Sequence, residues 1–406
     1  MTVSENQDAI SVADKSFPPR TWGRAVTELV AEGIALSEFA TPLLTLDRGA
    51  LDHNVATMFA WLSREGLRIA PHGKTTMAPA LWDELLDAGA WGLTVATAWQ
   101  AQVAQTQARW GAGADRILIA NEVVDPVALR WLEAELATHP GVDIVCWVDS
   151  IAGVERMAAA LAGARRPIPV VVELGAPGGR GGARTRAEAL ATIDAVAASG
   201  VLELAGVGGY EASIAEGRTD AVLAAVDAYL DELAALYRDA TGRFRSGARP
   251  IVTAGGSAYF DRVAARLEHL AGDADVVLRS GAFQIHDDGH YAEVSPMGRV
   301  LGDVPFRSAM HAWVRVVSHP EPGLVLLDGG KRDLSFDEGM PMPQRIVGID
   351  RPDSDRALEG GGIVKLNDQH AYLRIDPASA GALPVGTVVR LGLSHPCTSL
   401  DRWRRI

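Results

Sequence analysis

Four clusters of residues have the types and spacing that chemistry needs. The first is His72-Gly73-Lys74-Thr75, directly after a short apolar run at 67–70 that Pro71 ends. A lysine at the carboxyl end of a strand can be partly desolvated, which lowers its pKa and frees the amine to condense with an aldehyde. The second cluster is Glu173-Leu174-Gly175-Ala176-Pro177-Gly178-Gly179-Arg180-Gly181-Gly182. Its glycines let backbone approach a flat or anionic ligand, and Arg180 can hydrogen-bond an oxygen on it. The third is Gly209-Tyr210-Glu211, where a tyrosine hydroxyl can face a ring. The fourth, Thr253-Ala254-Gly255-Gly256-Ser257, stands before a helical stretch. Small hydroxyl residues and bare N–H groups in that place form an anion site, above all for phosphate.

Taken singly, each has a plainer reading. Lys74 reads as a surface lysine in a turn, the glycine run as a flexible loop, and Tyr210 as an anchor of the rim. Taken together, a lysine after one strand facing a phosphate site after another is the geometry that holds pyridoxal phosphate as a Schiff base. A further pair, His395 and Cys397 in Ser394-His395-Pro396-Cys397-Thr398, offers imidazole and thiolate two residues apart. Both suit Zn²⁺, and two protein ligands leave positions open for water or substrate. Its plainer reading is a satisfied histidine beside a small apolar cysteine. Cys146, within an apolar run, reads as core.

The elements that must position these groups follow one rhythm. Apolar runs at 67–70, 91–97, 116–121, 142–148, 168–174, 202–208, 250–253 and 276–278 alternate with stretches rich in Ala, Leu and Glu. The runs at 145–148 and 170–172 are continuous, as in parallel strands covered on both faces. Eight strand–helix repeats predict a (β/α)₈ TIM barrel over 47–285. After residue 281 the texture changes to short alternating runs at 311–318, 324–328, 362–366, 371–375 and 387–393, which predicts an antiparallel β-domain over 286–406. The run at 41–46 is expected to join that domain, with 21–46 as a helix and strand and 1–20 as a loose polar leader.

The formal net charge of −13 argues against nucleic acid or an anionic membrane as the main partner. No window approaches the ~20 unbroken apolar residues of a membrane span. With only two cysteines, a disulfide framework is not expected and a reducing cytoplasm fits.

The motifs resemble those of the fold-type III pyridoxal phosphate enzymes, in the group of D-serine dehydratase and D-threonine aldolase. The resemblance runs through Thr41-Pro42-Leu43-Leu44-Thr45-Leu46-Asp47, Pro71-His72-Gly73-Lys74-Thr75, Ile119-Ala120-Asn121-Glu122-Val123-Val124, Asp328-Gly329-Gly330 and His395-Pro396-Cys397-Thr398. It implies an alanine-racemase-like barrel with a β-domain. It places Lys74 as the Schiff-base lysine, Arg180 near the cofactor's phenolic oxygen and Tyr210 near its pyridine nitrogen. Thr253, Gly255, Gly256 and Ser257 fall in the phosphate loop. The metal ligands are His-x-Cys in the dehydratase branch and His-x-Asp in the aldolase branch, so His395 and Cys397 point to the former.

The function implied is a pyridoxal phosphate- and metal-dependent lyase, with Zn²⁺ or another divalent ion, an amino acid deaminase that turns a D-3-hydroxy amino acid such as D-serine or D-threonine into a 2-oxo acid and ammonia. Retro-aldol cleavage and racemisation are the alternatives; a non-catalytic cofactor carrier is disfavoured by the added β-domain. A small-molecule D-amino acid partner and a cytoplasmic homodimer are expected.

Overall fold

The computed structural model describes residues 9–107, 115–214, 216–347, 356–378 and 383–406. The chain divides into two compact units. One comprises Asn54–Phe283 and Val294–Phe306, the other Met1–His53, Gln284–Glu293 and Arg307–Ile406. The strands, in chain order, are β1 (Leu43–Leu46), β2 (Arg68–Ile69), β3 (Leu93–Val95), β4 (Arg116–Glu122), β5 (Asp143–Val148), β6 (Ile168–Leu174), β7 (Leu202–Gly209), β8 (Ile251–Ala254) and β9 (Asp275–Leu278). They continue with β10 (Met310–Glu321), β11 (Leu324–Leu327), β12 (Met342–Val347), β13 (Arg356–Ala357), β14 (Gly362–Leu366), β15 (Ala371–Arg374) and β16 (Val388–Gly392).

In the first unit, β2 to β9 form one parallel sheet in the order β2-β9-β8-β7-β6-β5-β4-β3. The two ends meet, because Trp91 N–H donates to Ile69 C=O at 2.8 Å and Thr94 N–H to Pro71 C=O at 3.0 Å. This curled, barrel-like sheet is what the eight apolar runs predict. Its strands are buried on both faces for a reason visible in their side chains. Trp91, Leu118, Val145, Trp147, Val171 and Val277 fill the interior. Leu93, Ile117, Ile119, Ile144, Cys146 and Val170 face the surrounding helices. Cys146 is fully buried, and burial pushes its thiol pKa up to about 12. The helices are delimited by their own chemistry. Asp125 accepts from the N–H groups of Val127 and Ala128 to start Pro126–Thr138. Thr185 and Glu188 form a capping box on Arg186–Ser199, which Gly200 ends in a left-handed conformation.

The second unit is an antiparallel sheet in the order β13-β12-β16-β10-β11-β15-β14, with β1 added beside β10. The expectation of a loose leader needs correction over residues 9–16. Ile10 and Asp14 are buried. Lys15 pairs with Asp333 at 3.0 Å and lies 3.9 Å from the ring centre of Trp403. Those partners lie more than 300 positions away, and no local pattern announces them. No helix among the described residues is long and apolar enough to cross a membrane.

Candidate active site

The barrel's carboxyl ends place Lys74 on a one-turn 3₁₀ helix, Gly73–Thr75, directly after β2. Trp82 fixes that turn: its indole N–H lies 3.1 Å from both Gly73 C=O and Thr76 Oγ1. A Cβ at Gly73 would sit 3.0 Å from the same indole, so a larger residue there would require Trp82 to give way by a few tenths of an ångström. Lys74 is exposed while Gly73 and Thr75 beside it are buried. The whole chain holds four lysines, Lys15, Lys74, Lys331 and Lys365, and Lys74 alone belongs to the barrel unit.

His72 gathers the site's cations around it. Its Nδ1 is buried without a hydrogen-bond partner. Burial first, then the charges of Lys74, Arg279 and Arg180, push its pKa well down and hold the ring neutral. Three cations from loops after β2, β6 and β9 therefore converge on one imidazole. Arg180 also lies 5.0 Å from the ring centre of Tyr210, a cation–π contact that brings together two residues singled out in the sequence.

The loop after β8 differs from expectation. The N–H groups of Gly255 and Gly256 do bind an anion, but it is the carboxylate of Glu211, at 2.9 and 2.7 Å. Glu211 is fully buried and follows Tyr210 in the chain. The Thr253 hydroxyl is likewise committed, donating to Val277 C=O at 2.8 Å and accepting from Arg279 Nη1 at 2.7 Å. Arg279, 5% exposed, also donates to Gly209 C=O at 2.6 Å and lies 4.8 Å from the ring centre of Trp147. What the loop leaves open is half-buried Ser257 and the bare Cα of Gly256, where an added Cβ would meet Tyr210 at 3.0 Å. The helix expected directly after the loop begins only at Phe260.

A carboxylate group stands at the neighbouring strand ends. Oxygens of Glu122, Asp149 and Glu173 lie within 4.8 Å of one another. Burial first, then a hydrogen bond with Glu122, pushes the Glu173 pKa up to about 8. Glu173 thus keeps its proton at neutral pH, which lets this buried carboxyl stand beside the half-buried Glu122 and Asp149.

The other unit carries His395 and Cys397. His395 has a left-handed backbone, φ +59°, at the start of the short helix Pro396–Leu400. Its N–H donates to Asp287 Oδ2 at 2.8 Å, and its Nδ1 lies 2.6 Å from Asp337 Oδ2. Asp337 Oδ1 accepts from the Thr398 hydroxyl at 2.8 Å. A hydrogen bond with Cys397 raises the pKa of the imidazole to about 9 against the effect of burial, and Asp337 adds to the rise.

Comparison with known proteins identifies the architecture. Residues 46–267 match the alanine racemase N-terminal domain family, and residues 309–406 match the serine dehydratase domain family. The chain belongs to the fold-type III pyridoxal phosphate enzymes. Within that family it is 28% identical over 375 residues to D-threonine aldolase of Arthrobacter sp., covering 92% of this chain and 90% of that one. It is 25% identical over 369 residues to D-threo-3-hydroxyaspartate dehydratase of Delftia sp. strain HT23, covering 88% and 91%. The solved D-threonine aldolase of Filomicrobium marinum superposes with a TM-score of 0.70 at 27% identity, over 91% of both chains. D-threo-3-hydroxyaspartate dehydratase has been solved with a histidine, and with a cysteine two positions further on, replaced by alanine, the cysteine variant in a metal-free form.

The residues present fit the family's cofactor. The barrel unit's one lysine would provide the amine, Arg279 and Arg180 would provide positive charge, and Gly256 would provide a bare approach. The buried donor Trp147 Nε1 and the buried His72 Nδ1 both lack a protein partner. The imidazole and thiol of His395 and Cys397 fit a borderline-soft divalent metal. Arg279, Glu211 and Asp337 are not among the residues that sequence reasoning singled out. For Arg279 one signal existed: a lone charge immediately after the apolar β9.

Proposed function

We propose that this chain is a pyridoxal phosphate- and zinc-dependent dehydratase that converts a D-3-hydroxy amino acid, D-serine or D-threonine, to a 2-oxo acid and ammonia. The observation that carries this reading is the contact between His395 and Cys397, a His-x-Cys donor pair in a chain whose barrel unit holds one lysine. The same spacing of histidine and cysteine was altered in the solved dehydratase variants, one of them metal-free.

When bound, the pyridoxal ring supplies an electron sink and the metal a Lewis acid for the departing hydroxide. The chain's own residues do the rest. The Lys74 amine holds the cofactor and, once displaced by the substrate amine, takes the α-proton. His72, neutral among its cationic neighbours, keeps a lone pair beside that lysine. Arg180 would serve the cofactor's phenolic oxygen, and Tyr210, which Arg180 packs against, would give its ring nitrogen a neutral partner. A neutral partner keeps the ring a modest sink, which is consistent with a leaving group assisted by metal. Loss of the α-proton and β-hydroxide yields an enamine that water hydrolyses to the 2-oxo acid and ammonia.

The second reading is retro-aldol cleavage, favoured by the likeness to D-threonine aldolase. The test is a panel of D-serine, D-threonine and D-3-hydroxyaspartate with the zinc- and pyridoxal-phosphate-loaded protein. A 2-oxo acid and an equal amount of ammonia from at least one substrate are expected. A panel that yields no 2-oxo acid would remove the proposal.

A further inference from the structure

We propose that Asp337 is the positioning residue of the metal centre: its carboxylate fixes the ring of His395 so that Nε2 is the nitrogen presented to the metal. This rests on the reading of His395 and Cys397 as metal ligands. An imidazole has two nitrogens, and a hydrogen bond at one decides which tautomer leaves the other free. The 2.6 Å contact between Nδ1 and Asp337 Oδ2 assigns the proton to Nδ1, because a carboxylate only accepts.

Asp337 is not itself a further ligand beside Nδ1. Two ligands of one tetrahedral zinc with bonds of about 2.0 Å stand roughly 3.3 Å apart. The observed 2.6 Å is a hydrogen-bond distance. The second oxygen of Asp337 is also fixed, since it accepts from the hydroxyl of Thr398 at 2.8 Å. Thr398 directly follows Cys397, so one carboxylate ties the ring of one ligand to the residue beside the other. The backbone of His395 is held independently by Asp287, which is buried and also accepts from the N–H groups of Gly289 and Tyr291. The N–H and the ring of His395 are thus each held by a different carboxylate. Of these two carboxylates, only Asp337 touches the ring and so bears on which nitrogen faces the metal.

The test is zinc affinity measured by competition with a chromophoric chelator, using the full chain with its cofactor and the variants Asp337→Asn, Asp337→Ala, His395→Ala and Cys397→Ala. Asp337→Ala should bind Zn²⁺ about 10- to 100-fold more weakly than the unaltered chain, as losses of such partners generally do. Asp337→Asn keeps an acceptor but no charge and should fall between the two. Loading with Co²⁺ adds a spectroscopic check: the thiolate-to-cobalt band should persist in Asp337→Asn with shifted ligand-field bands. Wild-type zinc affinity in both Asp337 variants, with affinity lost in His395→Ala, would reduce Asp337 to a structural contact. Wild-type affinity in His395→Ala and Cys397→Ala would instead overturn the metal site itself, and this proposal with it.

Discussion

Glu211 closes on Gly256: its carboxylate accepts that residue's N–H at 2.7 Å and, through its other oxygen, the N–H of Gly255 at 2.9 Å. A fully buried carboxylate is tolerable here because two N–H groups and the positive field of Arg279 offset its desolvation. Tyr210 is placed by the same arrangement, since its ring packs against Gly256 and its chain neighbour is the one anchored.

Glu211→Gln should therefore loosen the loop. An amide accepts only through one oxygen, so one buried N–H faces an NH₂ group, at a loss of about 2 kcal/mol. The expected result is a lower thermal midpoint and faster loss of cofactor during gel filtration. An unchanged midpoint together with tighter cofactor retention would mean that the carboxylate competes with phosphate for those N–H groups.

The pH dependence of stability should carry the mark of Glu173. Its folded pKa of about 8 lies above the ordinary 4.5, so folding favours the protonated form. The stability this contributes is fully present below about pH 4.5 and is lost as pH rises through about 8. Glu173→Gln imitates the protonated acid, so the midpoint of the unaltered chain relative to this variant should fall between pH 5 and 8. Parallel curves for the two proteins would show that Glu173 titrates normally.

The Lys74 turn gives two linked outcomes. Borohydride reduction of the cofactor-loaded protein should place the pyridoxyl group on the peptide bearing Lys74, and Lys74→Ala should abolish the adduct; a label on Lys331 would contradict the site. Trp82→Phe keeps the packing but removes the indole contacts with Gly73 and Thr76. A loss of about 1 kcal/mol in the rigidity of the turn should appear as a several-fold lower kcat with little change in KM. An unchanged kcat would show that the turn holds without the indole.

The parts of this structure that the sequence revealed are those with local causes. Each barrel strand is an apolar run buried on both faces, so its pattern announces it. β12 and β13 are not legible in this way: Pro343, Gln344 and Arg345 are half-buried or exposed and show no alternation. Lys74, Arg180 and Tyr210 could be singled out because each sits in or beside a motif. Glu211, although it closes one of those motifs, and Arg279 could not, because their hydrogen bonds form only when the ends of β7, β8 and β9 come together. Glu122 and Glu173 lie within recognised motifs, but their hydrogen bond depends on β4 and β6, two strands separated by β5, bringing them together. Asp337 stands 58 positions before His395, and no spacing rule joins them.

Elimination and cleavage differ in which bond of a D-3-hydroxy amino acid is broken, and D-threonine reports both possibilities in one reaction. Elimination expels the β-hydroxyl and gives 2-oxobutanoate with ammonia; retro-aldol cleavage breaks Cα–Cβ and gives glycine with acetaldehyde. A thiolate donates more charge to the metal than a carboxylate, and the resemblance ties His-x-Cys to elimination. Quantifying all four products from the zinc-loaded protein should therefore show 2-oxobutanoate and ammonia in excess, with Cys397→Asp losing them and shifting any residual turnover toward glycine. Glycine and acetaldehyde as the main products of the unaltered chain would contradict the account and make it an aldolase.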